Sequence, residues 1–290
     1  MTTKTASRPK KKSQLLEIWK QLKKNKLAVI SLFVLLALVL IAIFAPLLAP
    51  YSYAEQDVMN ANIVASAEHP LGTDKLGRDT LSRIIYGSRA SLIMGFSAIA
   101  IGAIIGIAVG AVSGYFGGWT DNIIMRLLDI YQAVPMLLLC IALAAILGPS
   151  LRNAIIALGI GMVPGYARMM RASVMTVREK EYVESAKSKN CSTLRIIVKH
   201  IIPNAIGPMI VQITMGVGSC ILSGAMLSFI GLGVQAPTAE WGAMISDARS
   251  AIRQYPTQAL YPGLCIMISV LACNLLGDGL RDALDPRLRN

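Results

Sequence analysis

The sequence predicts an all-α membrane protein with six transmembrane helices and with both termini in the cytoplasm. Three observations predict this fold class. Residues of hydrophobic type make up 54% of the 290 residues and charged residues only 15%, whereas about a quarter of the residues in a soluble domain are charged. The apolar residues form long uncharged runs, several of which are long enough to cross a bilayer as a helix. Lys and Arg are concentrated at one side of these runs, as is typical of cytoplasmic loops.

The chain begins with a basic region and a first predicted span. Residues 1–26 contain nine Lys or Arg and one acidic residue, which indicates a cytoplasmic tail followed by an amphipathic helix on the inner-leaflet headgroups. Residues 27–49 carry no charge and extend about 34 Å as a helix, enough to span a bilayer. Residues 50–87 then form a polar external segment, in which we interpret His69, next to Pro70, as a solvated turn residue.

The core of the protein, residues 88–280, is predicted to contain the other five spans. Its first uncharged run, 90–120, has glycine at every fourth position from Gly102 to Gly114. Such a strip of small residues brings helix backbones close together in a membrane. The sequence therefore predicts that this face packs on another helix.

The third and fourth predicted spans are less regular. The run 130–151 ends at a Gly-Pro pair, and its helix is expected to begin near Asn122. The run 153–167 has only 15 residues and includes Pro164. Its helix must therefore continue past Arg168 or lie where other helices cover it.

Residues 201–239 also lack charge, and this stretch is too long for one crossing. Two spans there would place the tail at 281–290 outside and weaken the charge bias. We therefore predict one span at 205–226, a re-entrant or interfacial segment after it, and an external amphipathic helix capped by Thr238. The apolar side of that helix would consist of Trp241, Met244, Ile245, Ala248 and Ile252. Residues 254–277 give the sixth span, and this topology places 21 Lys or Arg inside and 6 outside.

The sequence contains no recognisable site for nucleotide hydrolysis or covalent catalysis. It lacks both a GxxxxGK[ST] loop and a GxGxxG turn between strand and helix. The two histidines, His69 and His200, fall on opposite sides of the membrane, and neither HExxH nor GxSxG occurs. The five cysteines have no metal-site or disulfide spacing. We therefore predict no catalytic, cofactor-binding or metal site in this chain, and no nucleic-acid binding, because its basic residues flank apolar runs.

Neutral polar residues occur within the last two predicted spans. The centres of all the predicted spans lack charge, which argues against a secondary transporter coupled to protons or sodium. The neutral polar residues could line a translocation path, or they could equally form hydrogen bonds between helices. They are Gln212, Thr214, Ser219, Ser223 and Asn274.

A dense block of charge interrupts the apolar C-terminal half of the chain. It covers residues 178–203, with the sequence REKEYVESAKSKNCSTLRIIVKHIIP. Its first part consists of good helix formers, and a second helical run follows the break at Asn190 and stops at Pro203. Eight Lys or Arg between Arg168 and Lys199 predict that this helix, turn and helix lie at the cytoplasmic face.

Within this block, EYVESAKSKN and HIIPNA resemble the cytoplasmic "EAA" loop of the membrane subunits of bacterial ATP-binding-cassette (ABC) importers. Ser185 stands where that family has alanine, and Asn190 stands where it has glycine. Asn is the residue other than glycine best suited to a left-handed helix end, so the turn is expected to persist. The resemblance implies a loop at 168–203 that couples to an ATPase. Its coupling residues would be Tyr182, Val183, Glu184, Ser185, Ala186, Asn190, His200 and Pro203.

The resemblance extends over about residues 14–289. The chain is similar to the peptide/nickel permease family, and above all to the second, C-type permease subunit of dipeptide and oligopeptide importers. The similarity implies the type I ABC importer permease fold. It also implies a heterodimer with a related permease, two cytoplasmic ATPase subunits that bind ATP and Mg, and an extracytoplasmic substrate-binding protein. The segments that carry it are HPLGTDKLGRDTLSRIIYGSRASL, GYFGGWTDNIIMRLLDIYQAVP, PTAEWGAMISDAR and GDGLRDALDPRLR.

The function implied by this resemblance is that of a permease without enzymatic activity in the bacterial plasma membrane, the inner membrane of a Gram-negative cell. It would form half of the path for di- or oligopeptides and would bind no cofactor itself. Glutathione and nickel chelates are alternative substrates, because similar importers carry them. A self-contained secondary transporter or channel is the alternative from another class, motivated by six spans and neutral polar groups. A membrane-bound enzyme would need a reactive constellation that the sequence lacks.

Overall fold

The structure, a computed structural model, describes residues 14–284, and this part of the chain is mostly helical, without a β-strand. The basic tail through Lys12 and most of the predicted C-terminal tail lie outside the described residues. The helices are α1 (Gln14–Leu22), α2 (Lys26–Ile43), α3 (Ala45–Leu48), α4 (Thr80–Phe116), α5 (Gly118–Gln132), α6 (Met136–Leu147), α7 (Leu151–Val177), α8 (Glu181–Ser188), α9 (Thr193–Ile196), α10 (Ile202–Ala205), α11 (Gly207–Phe229), α12 (Trp241–Ala248) and α13 (Thr257–Leu284).

Among the described residues, α2, α4, α11 and α13 are long and apolar enough to cross a membrane by themselves. The third predicted span is not one straight helix, because α5 and α6 form a pair bent by 80°. Pro135 lies at this bend. Proline cannot donate a backbone hydrogen bond and disfavours helical backbone in the residue before it, so the helix ends and a new one begins at Met136. Counted as one span, the pair gives a fifth crossing.

The glycine face of α4 packs directly on α7, which confirms the predicted helix contact. A Cβ atom added at Gly110 would lie 2.2 Å from the carbonyl oxygen of Ala167. The numbers of the contacting residues increase together along both helices, since Gly102 faces Met162 and Gly114 faces Val174. The two helices are therefore parallel. As expected, α7 continues beyond Arg168, to Val177.

The other long helices alternate in direction. Met94 of α4 lies against Gly224 of α11, and Ile99 lies against Gly216, so these two helices are antiparallel. The same reversal relates α13 to α11, through the pairs Val270 with Gly218 and Met215 with Gly277. It also relates α2 to α4, because the end of α2 at Ile43 lies near Arg89 and the part of α2 nearer Leu32 lies near Ala103 to Ile107. Consequently α4, α7 and α13 run in one direction and α2 and α11 in the other.

The segment between α3 and α4 is held against α12 by a buried charge cluster. Arg78, only 2% exposed, donates from Nε to Asp74 at 2.6 Å and from Nη2 to Asp247 at 2.9 Å. Arg83 lies 3.5 and 3.6 Å from the same two carboxylates and donates to the carbonyl of Tyr53. Because Asp247 belongs to α12, the cluster ties two parts of the chain that are far apart in sequence.

The expectation that His69 is a solvated turn residue is wrong. Its Nδ1 lies 2.9 Å from a carboxylate oxygen of Asp79, and its side chain is only 15% exposed. The ring also packs against Tyr51, with ring centroids 4.9 Å apart. Asp79 in turn accepts a hydrogen bond from the backbone N–H of Ser82 and so caps α4. His69 therefore belongs to the structure that begins α4.

The predicted cap of α12 is also wrong, because the helix begins after Glu240 rather than Thr238. The buried Glu240 carboxylate accepts hydrogen bonds from two backbone N–H groups in the first turn of α12 and from the Ser91 hydroxyl of α4. Trp241, Met244 and Ala248 are buried and Ile245 is half-buried, as predicted for the apolar side of the helix, but Ile252 lies beyond the end of α12 and is exposed. The cap could not be read locally because Glu240 is fixed by α4, which lies far away in sequence.

Candidate functional site

The charged stretch folds into a short layer of helices that follows the end of α7. The predicted loop 168–203 begins within α7, since Arg168 and Arg171 are part of that helix. Arg171 pairs with Asp121 of α5, which also accepts a hydrogen bond from Ser113 of α4. Arg168 pairs with Asp129 of α5 at 2.7 Å. The exposed loop therefore starts at residue 178, on a base that ties α4, α5 and α7 together.

Helix α8 has a buried face and an exposed face. Val183 and Ala186 are buried in the main hydrophobic core. Tyr182, Glu184 and Ser185 are exposed. The sequence predicted all five as coupling residues, and the structure separates them into two that attach α8 to the spans and three that face outward.

The turn after α8 has the left-handed residue that the sequence predicts. Asn190 has φ +56°. Its N–H donates to the carbonyl of Lys187 at 2.8 Å, and the N–H of Cys191 donates to the carbonyl of Ala186 at 3.2 Å. This pair of hydrogen bonds is the Schellman motif, which commonly ends helices at glycine. Asn190 thus replaces glycine without loss of the turn.

Replacing Asn190 by Leu is expected to destabilise this turn, whereas Asn190→Gly is expected to preserve it. A leucine at positive φ costs roughly 1–2 kcal/mol, while glycine adopts this conformation freely. Lys189→Leu is the matched control, because Lys189 is exposed and has φ −81°. Hydrogen exchange of the α8 amides should increase only in Asn190→Leu. Equal exchange in the two leucine variants would contradict this account.

The second helical run does not stop at Pro203, contrary to the prediction. A π-helical turn over Ile197–Ile201 leads into α10, with Pro203 in the first turn of that helix. The side chain of Asn204 donates to the carbonyl of His200 at 2.7 Å. A wide π turn accommodates proline, because it frees the backbone groups that the missing N–H would otherwise leave unmatched.

The loop is attached to the end of α4 as well as to α7. The Arg178 guanidinium donates to the carbonyl of Gly114 at 3.0 Å, which lies in the last turn of α4, where carbonyls lack helical partners. The ammonium of Lys187 lies 5.8 Å from the centre of the Tyr115 ring, within cation–π range. The exposed loop therefore contacts the ends of both α4 and α7.

Two apolar residues on the exposed side of this layer were missed by the sequence analysis. Leu194 is 72% exposed and Val198 is 50% exposed. They lie four residues apart, whereas Ile196, Ile197 and Ile201 of the same run are buried. Tyr182 of α8 is exposed as well, and exposed apolar and aromatic residues are typical of a protein contact surface. The sequence did contain a signal for this exposed apolar surface, because apolar residues occur on both sides of the second helical run.

The predicted path residues do not form one group. Gln212 and Ser219 are exposed on one face of α11, whereas Ser223 and Asn274 are half-buried. Thr214 lies on a different side of α11, where it lines an apolar cleft beside α2 and donates to the carbonyl of Ile210 at 2.9 Å. Gln212, Ser219 and Ser223 thus lie along one face of α11, because residues seven and four positions apart share a helix face.

Gln212 lines a partly polar groove of about 380 Å³ between the α5–α6 bend, α7 and α11. The groove also includes Gln132, Gly165 and the hydroxyl-bearing Tyr131 and Tyr166, none of which the sequence analysis selected. The hydroxyl of Tyr131 is buried and has no hydrogen-bond partner among the described residues. A groove with neutral donors and acceptors can bind a polar solute without a fixed charge.

Comparison with known families gives two matches in chain order. Residues 13–67 match the family described as the N-terminal TM domain of oligopeptide transport permease C. Residues 102–290 match the family described as binding-protein-dependent transport system inner membrane component. The second match covers the α4–α7 contact, the exposed loop and the groove.

Several curated proteins are similar along nearly their whole length. The dipeptide transport system permease protein DppC of Alkalihalophilus pseudofirmus is 50% identical over 94% of this chain and 90% of its own. The di/tripeptide transport system permease protein DppC of Pseudomonas aeruginosa is 45% identical over 96% of this chain and 94% of its own. The glutathione transport system permease protein GsiD of Escherichia coli is 43% identical over 94% and 90%, respectively.

A solved structure supports the fold. A chain of the MetNI methionine ABC transporter in an inward-facing conformation matches with a TM-score of 0.56 and 20% identity, over 70% of this chain and 96% of that chain. This likeness concerns the arrangement of the helices only.

Proposed function

Because the chain belongs to the binding-protein-dependent transport system inner membrane components, the permease subunits of ABC importers, we propose that it forms half of a path for short peptides. It is a multi-pass protein of the bacterial plasma membrane. The observation that carries the proposal is the two-sided α8. Its buried face is fixed to the spans, while its exposed face is free to bind another subunit.

The proposed substrates are dipeptides and short oligopeptides. The relatives are named for dipeptides, di/tripeptides and glutathione, and glutathione is itself a tripeptide. The groove at Gln212 presents amide and hydroxyl groups and no charged side chain. Such a lining suits the peptide backbone shared by all these solutes and leaves the side chains unselected. Nickel chelates are the less favoured alternative, because the curated relatives named above are permeases for peptides and glutathione.

The proposed topology has six spans with both termini in the cytoplasm. The alternating directions of α2, α4, the α5–α6 pair, α7, α11 and α13 support it. α7 runs parallel to α4 along the glycine face. The chain must therefore return across the bilayer between these two helices, and α7 must cross the bilayer in the same direction as α4. The predicted bias of Lys and Arg supports the assignment of sides.

The proposed partners follow from the exposed surfaces. The face of α11 with Gln212, Ser219 and Met226 would meet the second permease, with the path between the two subunits. The outer face of α8, together with Leu194 and Val198, would bind an ATPase subunit. Two such ATPases would hold ATP and Mg, and this chain would contribute neither an ATPase site nor a cofactor. An extracytoplasmic binding protein would deliver the substrate.

Coupling in this proposal is mechanical. Closure of the ATPase pair on ATP would displace α8, and the Arg178 contact with Gly114 would transmit the displacement to α4 and α7. Packed helices respond to such a displacement as rigid bodies. The groove beside Gln212 would then open alternately to the two sides of the membrane.

Reversing the charge of Glu184 is expected to uncouple the importer. Glu184 is exposed on the outer face of α8, and Glu184→Lys would place a cation against the basic group that we expect on the ATPase. Like charges across an interface cost several kcal/mol, so substrate-stimulated ATP hydrolysis and uptake should both fall by roughly tenfold or more. Both are measured with the complete importer in proteoliposomes.

Glu55→Lys is the matched control for charge reversal, because Glu55 is exposed in the segment before α4 and forms no ion pair among residues 14–284. It should retain nearly full activity. Unchanged coupling in Glu184→Lys would contradict the docking role of α8. Uptake by this chain in liposomes without any ATPase would instead contradict its role as an importer subunit.

A further inference from the structure

A long apolar groove runs between α2 and α4 and carries one cation at its end. The part nearer the start of α4, here called the upper part, has a volume of about 460 Å³. It is lined by Arg89 and Ser97 among apolar side chains of both helices. The lower part of the groove, about 620 Å³, is bounded almost entirely by aliphatic side chains and extends to α11 and α13. Val39 and Phe96 line both parts, so the two form one continuous groove.

Arg89 lacks a partner of its own within residues 14–284. It is exposed, and none of the ion pairs among the described residues involves it. It directly precedes the uncharged run 90–120, which places it at the boundary expected between hydrocarbon and headgroups. An anion stabilises an arginine at that level, and phosphate matches its planar set of donors.

The groove and Arg89 together match the two parts of one phospholipid, because Arg89 is cationic like a phosphate-binding group and the groove is apolar like an acyl-chain site. Arg89 and Ile99 are ten residues apart on α4, about 15 Å along the axis. This is about half the thickness of the hydrocarbon core, the depth reached by an acyl chain of one leaflet. A chain that starts at Arg89 would therefore end in the wide lower part, which water cannot occupy favourably because its lining offers almost no hydrogen bonds.

The groove also faces away from the surface proposed for the second permease. Ile213, Thr214 and Val217 of α11 line the groove, while Gln212 and Ser219 lie on the exposed face. With 3.6 residues per turn, these two sets lie on roughly opposite sides of α11. The second permease, bound as proposed above, would therefore leave the groove uncovered.

We infer that one phospholipid of the leaflet on the side of the 50–79 segment is a bound component of this protein. Its phosphate pairs with Arg89, and one acyl chain fills the groove between α2 and α4. The lipid thereby packs α2 against the core helices. In the proposed topology this is the outer leaflet.

The inference is tested by native mass spectrometry of the complete importer released from nanodiscs of phosphatidylethanolamine and phosphatidylglycerol. The wild type should retain one phospholipid per copy of this chain. Arg89→Gln should reduce that retention by roughly tenfold, because it removes a charge-assisted hydrogen bond to phosphate. Arg152→Gln is the matched control, since Arg152 is also exposed and lies at the same end of the bundle, at the start of α7.

A second variant fills the groove without changing charge. Ala100 is exposed and lines the lower part, so Ala100→Phe should displace the acyl chain, whereas Ala108→Phe, on an exposed site of α4 outside the groove, should not. Retention of the lipid by both Arg89→Gln and Ala100→Phe would overturn the inference. So would a photo-crosslinker at residue 89 that captures the second permease instead of lipid. If Arg89→Gln fails to assemble, Ala100→Phe decides.

Discussion

Replacing Asp74 by Ala is expected to unfold the external segment that precedes α4. One carboxylate oxygen of Asp74 accepts hydrogen bonds from the backbone N–H groups of Leu76 and Arg78, and the other accepts from the Arg78 guanidinium. Without Asp74, the buried guanidinium groups of Arg78 and Arg83 would share only Asp247, whose side chain is 35% exposed. Leaving buried charge uncompensated costs about 3–5 kcal/mol.

The measurement is the free energy of unfolding in detergent, together with protease cleavage of the external segment. Asp74→Asn should lie between the wild type and Asp74→Ala, because an amide oxygen can still accept from the backbone but cannot offset the arginines. Lys75→Ala is the control. Lys75 pairs with Asp247 at 3.2 Å and is 42% exposed, and an exposed pair contributes no more than about 1 kcal/mol. If Asp74→Ala were no more destabilising than Lys75→Ala, water rather than protein would be solvating the cluster.

The features that the sequence predicted well are those with local causes. The uncharged runs identify membrane helices, because hydrocarbon excludes charge along the whole of a span. The glycines of α4 predicted a close helix contact through their four-residue spacing alone, although not the identity of the partner. The turn at Asn190 was predictable because the left-handed conformation depends on that residue and its neighbours.

The predictions that failed concern groups whose partners lie far away in sequence. Glu240, not Thr238, caps α12, because Ser91 of α4 helps to hold its carboxylate. His69 is fixed by Asp79 only after the intervening turn has folded. The π turn before Pro203 depends on the packing of Ile197 and Ile201 in the core. None of these contacts leaves a periodic pattern in the sequence.

The candidate path was predicted least well, for a different reason. Polarity selected Gln212 and Ser219, which share an exposed face of α11, but equally selected Thr214, which faces the groove beside α2. Residues such as Gly165 and Tyr131 enter the polar groove because α5 and α6 bend at Pro135. The direction of a side chain around a membrane helix depends on its neighbours, and both faces of α11 are similar in composition.

Substituting Gly110 by Val is expected to separate α4 from α7 and to prevent assembly of the importer. A Cβ at Gly110 would lie 2.2 Å from the carbonyl oxygen of Ala167 and 2.8 Å from the Cβ of Met170. The carbonyl belongs to helix backbone, so it cannot move aside as a flexible side chain would. Overpacking by a single methyl group typically costs about 1–3 kcal/mol, and the two further methyl groups of valine add to it.

The informative series is Gly110→Ala, Gly110→Val and the control Gly263→Ala in α13, where an added Cβ meets nothing within 4 Å. The free energy of unfolding in detergent should fall in the two Gly110 variants and remain unchanged in Gly263→Ala. Gly110→Ala is expected to assemble but to lose coupling, because Arg178 fastens the exposed loop to the same end of α4. A shifted α4 would then no longer move together with α7 when α8 is displaced. Full coupling in Gly110→Ala would show that α7 alone transmits the signal.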